Sequence, residues 1–340
     1  MLVRNFKTGS FISGLAASTL DPTVAFGATR LRRVVNPAWN FAAPGTQAQG
    51  STSGYTSGGD GAPGPGYSNV IDKFPFASNA NATNVGNLSG SRRVGLATGQ
   101  SSTASGYTSG GYFIPVFVNI IDKFPFASDA DATDVGDLSQ TRYARAGQSS
   151  TASGYTSGGR ISSFAAVNTI DKFPFASDAN ATDVGDVTVA RFNTAGQSST
   201  NNGYTSGGGP SAVNIIDKFP FSSDANATDV GDLTAARFNI AGQNSTASGY
   251  TSGGYGPAQT NVIDKFPFAS DANATDVGDL TVAKVAPVGQ SSIDNGYTSG
   301  GTEPPGNKNT IDKFPFALNA NATDVGDLTQ GRSSSAGQQV

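Results

Sequence analysis

The chain has 340 residues, with 44 Gly, 17 Pro, only 14% charged residues and a formal net charge of −4. It contains no Cys and no His, which excludes disulfides, Cys/His zinc sites, thiol nucleophiles and imidazole bases. The acidic balance gives no electrostatic basis for nucleic-acid binding, and without a run of about 18 apolar residues no membrane insertion is expected.

Residues 1–45 carry Arg4, Lys7, Arg30, Arg32 and Arg33 against Asp21, a net of +4 that leaves −8 for the remainder. Met1 to Leu20 resembles a signal peptide only loosely, because Ser and Gly interrupt its apolar part. The segment holds no repeat and too few apolar residues for a core of its own. We therefore expect a docking arm, ordered by neighbouring subunits through these basic residues and Trp39. The alternative is an arm wrapped on the rest of its own chain.

From about residue 46 the sequence is periodic. Gly-Tyr-Thr-Ser-Gly-Gly starts at Gly54, Gly106, Gly154, Gly203, Gly249 and Gly296, and Ile-Asp-Lys-Phe-Pro-Phe starts at Ile71, Ile121, Ile170, Ile216, Ile263 and Ile311. Six units follow, starting near 46, 99, 147, 196, 242 and 289, and a fixed period of this size signals stacked repeats. Ala195 to Arg237 shows one unit clearly. AGQSST is a small-residue segment suited to an inner strand crowded near an axis. GYTSGG is a short strand whose tyrosine can pack between sheets and whose glycines allow close approach. NIIDKFPF is rich in β-formers. SDANATDVGDLT supplies an Asp/Asn/Gly turn and a last short strand. Four strands per unit predict one propeller blade, and no segment has the 3.6-residue apolar period of a helical solenoid.

These residues resemble the kelch repeat: Gly203-Tyr204 with Gly207-Gly208, then Asn214, then Ile216-Asp217-Lys218-Phe219, then Leu233 and Arg237. The resemblance covers residues 46–340 and implies an all-β, six-bladed kelch-like β-propeller with a non-repetitive N-terminal arm. Kelch blades usually carry an outer-strand Trp, whereas the single tryptophan here is Trp39. The segment ATDVGDLT also resembles the Asp-box hairpin of sialidase propellers. The near-verbatim IDKFPFASDANATDVGDL units are similar to repeats in structural proteins of marine bacterial viruses, particularly those infecting cyanobacteria. Closure is open at this point. Gly45 to Ser53 and Ala336 to Val340 both look like the inner strand needed to join the last blade to the first. An open arc or a filament-forming β-stack is the alternative topology.

In a four-stranded blade the first and third connections share one face, and the second and fourth share the other. The first and third connections scarcely differ between units, while the second and fourth differ in every copy. One uniform acidic face and one varied face are expected. Loops on a rigid scaffold commonly carry recognition residues, so partner binding is placed on Tyr112, Phe113, Ile114, Phe117, Tyr143, Arg145, Arg160 and Phe164. The competing reading is that loops drift where packing does not restrain them.

Asp178, Asn180, Asp183 and Asp186 are hard oxygen donors at a spacing that suits Ca²⁺. Their other reading is side-chain-to-backbone turns, which the first unit favours because Asn79, Asn84 and Asn87 stand where other units have Asp. The Asn-Ala-Thr triplets at Asn81, Asn180, Asn226, Asn273 and Asn321 read as a duplicated turn rather than as glycan acceptors. No cofactor is expected. No unit singles out a pair of carboxylates for hydrolysis, so no enzymatic activity is expected either. The sequence points to a virion structural or binding protein, held to a capsid or tail by its arm and contacting other virion proteins or a host glycan or protein. The alternative is an extracellular carbohydrate- or protein-binding propeller.

Overall fold

A computed structural model describes residues 49–61, 66–89, 97–113, 116–143 and 146–340. Among these the regular structure is entirely β, arranged as six four-stranded antiparallel sheets with small extra pairings in the loops. Neighbouring inner strands touch one another all the way round, from the first sheet to the sixth and back. The protein is a six-bladed β-propeller.

The fourth blade shows how the repeat folds. Its strands are Ala195–Ser198, Asn202–Ser206, Ile215–Pro220 and Thr228–Asp232, from the axis outward. The third strand explains why IDKFPF recurs so strictly. Successive side chains of a strand point to opposite faces, and here each face is covered by a different neighbouring blade. Ile216 packs toward the fifth blade with Tyr204, Leu233 and Phe266. Lys218 also leans that way, to Asp271. Asp217 and Phe219 point back to the third blade, to Arg191 and to Tyr155 respectively. A two-residue alternation thus serves two interfaces and leaves no solvent face.

The apolar half of each interface is an aromatic stack. Tyr204 lies 4.8 Å from Phe268, nearly parallel, and 5.6 Å from Phe266. The same contact joins Tyr107 to Phe175, Tyr155 to Phe221, Tyr250 to Phe316, Tyr297 to Phe76 and Tyr55 to Phe126. Such pairs contribute about 0.5–1.5 kcal/mol beyond the area they bury.

The polar half is a buried ion pair. Arg142, which follows the outer strand of the second blade, reaches Asp171 of the third at 2.9 Å, and both side chains are fully buried. Arg191–Asp217, Arg237–Asp264, Lys284–Asp312 and Arg332–Asp72 repeat it. Burial pushes the Arg142 guanidinium below its ordinary value, and the facing Asp171 opposes that shift. The carboxylate also accepts from the Ser139 hydroxyl at 2.6 Å and the Ser139 N–H at 3.0 Å. Arg142 donates to the carbonyls of Gly158 and Thr169. A buried pair is tolerable only with this degree of hydrogen bonding.

At the axis, each inner strand contributes one Gln that donates across to the next blade. Gln148 Nε2 reaches the Tyr204 carbonyl at 2.8 Å, and Gln100, Gln197, Gln243, Gln290 and Gln338 repeat the bond in the other five junctions. The residue before each Gln must be glycine, because a Cβ on Gly196 would lie 2.1 Å from the Gly147 carbonyl oxygen. The inner strands line a small axial cavity of about 120 Å³.

The C-terminus closes the ring. Ala336–Gln339 pairs antiparallel with Ser53–Ser57 and becomes the inner strand of the first blade, with Gln338 opposite Tyr55. Of the other candidate, Gly45 to Ser53, only residues from 49 onward are described, and they contact the ends of the inner strands instead of pairing as one. Gly50 N donates to the Ser291 carbonyl at 2.8 Å, and Gln49 Nε2 donates to the Asn244 carbonyl at 3.1 Å. These contacts lie at the inner-strand ends on the uniform face.

Two expectations follow. Asp171→Ala leaves Arg142 buried without its carboxylate and should cost about 3–5 kcal/mol. Asp178→Ala, which removes an exposed partner of Lys123, should cost about 0–1 kcal/mol. Urea unfolding of the two variants checks this, and equal losses would contradict it. The second concerns pH. Tyr55, Tyr107, Tyr155, Tyr204, Tyr250 and Tyr297 are raised above their ordinary value, chiefly by burial. Lys123 and Lys172 are raised chiefly by hydrogen bonds to Asp178 and Asp224. Both shifts make the folded chain hold protons more tightly than the unfolded one. Their stabilisation is therefore complete below the ordinary Tyr and Lys values and is lost as pH climbs past about 10. Melting temperatures across that range should fall, and a flat profile would count against the assignment.

Candidate interaction surface

The varied face departs most from the repeat at the second blade. Its middle strands, Ser105–Phe113 and Val116–Pro125, run well past the five and six residues typical of the other blades. The β-formers Tyr112, Phe113, Val116, Phe117 and Val118 continue the pairing where other units have Gly, Ser and Pro. Tyr112 faces Phe117 and Phe113 faces Val116 across the extension, beyond a bulge between Ser109 and Gly111. A hairpin therefore projects from the face.

Two further segments converge on it. Tyr143, in the connection leaving the second blade, pairs with Arg160 in the third: Arg160 N donates to the Tyr143 carbonyl at 2.8 Å, and Tyr143 N donates back at 3.1 Å. This splicing of one blade's last connection to the next blade's middle loop recurs at Phe192–Gly209, Phe238–Tyr255 and Val285–Thr302. The varied segments are thus knitted together by backbone.

What remains is an aromatic cluster. Phe117 lies 4.8 Å from Tyr112 and 5.0 Å from Tyr143, and Phe164 meets Phe117 edge-on at 6.0 Å. The Arg160 guanidinium sits 4.9 Å from the Phe164 ring and 4.8 Å from the Phe192 ring, within range of a cation–π attraction. Its Nε donates to the Phe164 carbonyl at 2.8 Å and its Nη1 to the Tyr143 hydroxyl at 3.4 Å. None of these partners is a carboxylate.

Phe164 is the most unusual residue of the cluster. It occupies a tight turn with φ of 64°, a left-handed conformation rare for a bulky side chain. The turn is held by Phe164 N donating to the Ile161 carbonyl and Ile161 N to the Ala165 carbonyl. The side chain is nevertheless 60% exposed. A strained turn thus holds an apolar side chain at the surface.

Of the residues placed on this surface from the sequence, Tyr112, Phe117, Tyr143, Arg160 and Phe164 come together. Phe113 is in the hairpin, and Ile114 and Arg145 lie outside the described residues. Sequence reasoning missed Phe192 and the exposed Val116. Phe192 was legible only as the counterpart of Tyr143 in the next unit. The arm residues Arg4, Lys7, Arg30, Arg32, Arg33 and Trp39 also lie outside the described residues.

The calcium candidates are spread over separate structural tasks. Asp178 Oδ1 meets Lys123 Nζ at 2.9 Å. Asn180 Oδ1 accepts from Asp137 N of the preceding blade at 3.0 Å, and Asp183 Oδ1 accepts from Gly185 N at 3.2 Å. Asp186 N donates to Asn226 Oδ1. Among the described residues no group of three or more acidic side chains is placed to hold a metal ion.

Phe164→Asn keeps a residue that tolerates the left-handed turn while deleting the exposed ring. Its unfolding free energy should stay within about 0.5 kcal/mol of the parent, measured by chemical denaturation. A loss of about 2 kcal/mol or more would show that the ring is a packing element. Scanned against protein-family models the chain matches none, and a search of curated proteins finds no match.

Proposed function

We propose that this protein is a non-enzymatic interaction propeller of a bacterial virus particle, attached to capsid or tail by its N-terminal arm. It presents the varied face to a host surface or to other virion proteins. A β-propeller supports an interaction role in general, because rigid blades hold their loops in place. One observation carries the orientation of the proposal. The chain enters the propeller at the uniform face, through Gln49 and Gly50, whereas the aromatic cluster lies on the varied face at the other end of the axis. Within the propeller, the first described residues and the aromatic cluster thus stand on opposite faces.

The virion placement rests on the likeness of the IDKFPFASDANATDVGDL units to repeats of virion structural proteins. The absence of a catalytic role rests on the uniform face. Its acids perform the same turn and ion-pair duties from blade to blade, and no single unit concentrates them.

Purified particles of the source virus, analysed by quantitative mass spectrometry, should contain the chain in fixed ratio to the major capsid protein. Removal of residues 1–45 should abolish its incorporation and leave a folded propeller. Recovery only as a free monomer outside particles would overturn the placement and favour a secreted binding module.

A further inference from the structure

Resting on the interaction role just described, we infer that the Phe164–Arg160 knob is the anchor for a protein partner whose surface offers an apolar socket edged by a carboxylate. Two features of the knob choose this partner over a glycan. Sugar recognition by aromatic residues uses an open ring face on which a pyranose can lie. Here the guanidinium covers one face of Phe164, and Tyr112, Phe117 and Tyr143 are turned toward one another at 4.8–5.9 Å. What stands free is the outer part of Phe164 at a turn, with Val116 of the hairpin also exposed. That is the shape of a side chain that enters a pocket, and buried aromatic and arginine anchors dominate protein interfaces.

The charge of the site selects the socket's rim. Arg160 is held by two rings, a carbonyl and a phenol, so its charge is unneutralised by its own contacts. Nη2 is left to donate, and a carboxylate is the acceptor that matches a guanidinium best. Backbone pairing with Tyr143 and the Nε bond to the Phe164 carbonyl fix Arg160 beside the anchor. The two groups therefore present one preorganised unit, and little ordering cost remains on binding.

The test uses the full chain and three sets of short synthetic peptides with the same apolar residues, flanked by Asp, Asn or Lys, together with a glycan array. Binding is read by fluorescence anisotropy and located by hydrogen exchange. The Asp set should bind most tightly, with protection at residues 160–164. Phe164→Asn and Arg160→Met should each weaken it by roughly tenfold or more, with melting temperatures confirming that both variants fold. Binding of the Lys set as tight as that of the Asp set would overturn the inference. So would undiminished binding by Phe164→Asn, binding of glycans alone, or binding of no peptide set. Peptide protection confined to the fourth to sixth blades would sink this site while leaving the wider interaction role standing. Absence from particles would bear on the virion placement and not on the knob.

Discussion

The stacking of each tyrosine on the phenylalanine pair of the following blade is the contact on which the remaining structure depends. A four-stranded sheet of this composition has few apolar residues, and both of its faces need cover. Ile216 and Tyr204 are buried only because Phe266 and Phe268 arrive from the next repeat. The buried carboxylate–cation pairs of the same junctions, such as Arg142–Asp171, make sense in that setting. They add little to the stability of a pair already taken out of water, but a misaligned neighbour would leave a charge stranded. Aromatic stacking supplies attraction, and the ion pair penalises the wrong register.

The uniform face is uniform because it belongs to the same junctions. The turn between the third and outer strands clips onto the preceding blade. Asn180 caps Asp137 N, and the Ala225 carbonyl would lie 2.6 Å from a Cβ on Gly185, whose φ is 152°. Any unit that altered this turn would loosen its neighbour. The first unit shows which property matters. Asn84 stands where others have Asp, and its side-chain oxygen still accepts from Gly86 N at 3.0 Å. A carbonyl oxygen does the work of a carboxylate there, so the charge is dispensable and the acceptor is not.

The varied face answers to a looser constraint. Its segments must exchange backbone hydrogen bonds between blades, as Tyr143 does with Arg160, but those bonds do not specify side chains. Residues on that face are free to differ, and between the second and third blades they assemble aromatics around one guanidinium. The left-handed Phe164 is a departure that the junctions do not require.

Repeat number and the four strands of each unit were readable from the chain, because the period reflects one blade and the β-formers of IDKFPF mark a strand. Five of the eight residues assigned to the interaction surface also converge, since aromatics breaking an otherwise regular repeat stood out. Three matters were settled only in three dimensions: the closing strand Ala336–Gln339, the pairing of Arg142 with Asp171, and the place of Phe192 beside Arg160. Local pattern reports which way a side chain points from its own strand. Its partner across a junction depends on how successive sheets wind about the axis and meet, which is a property of the closed ring.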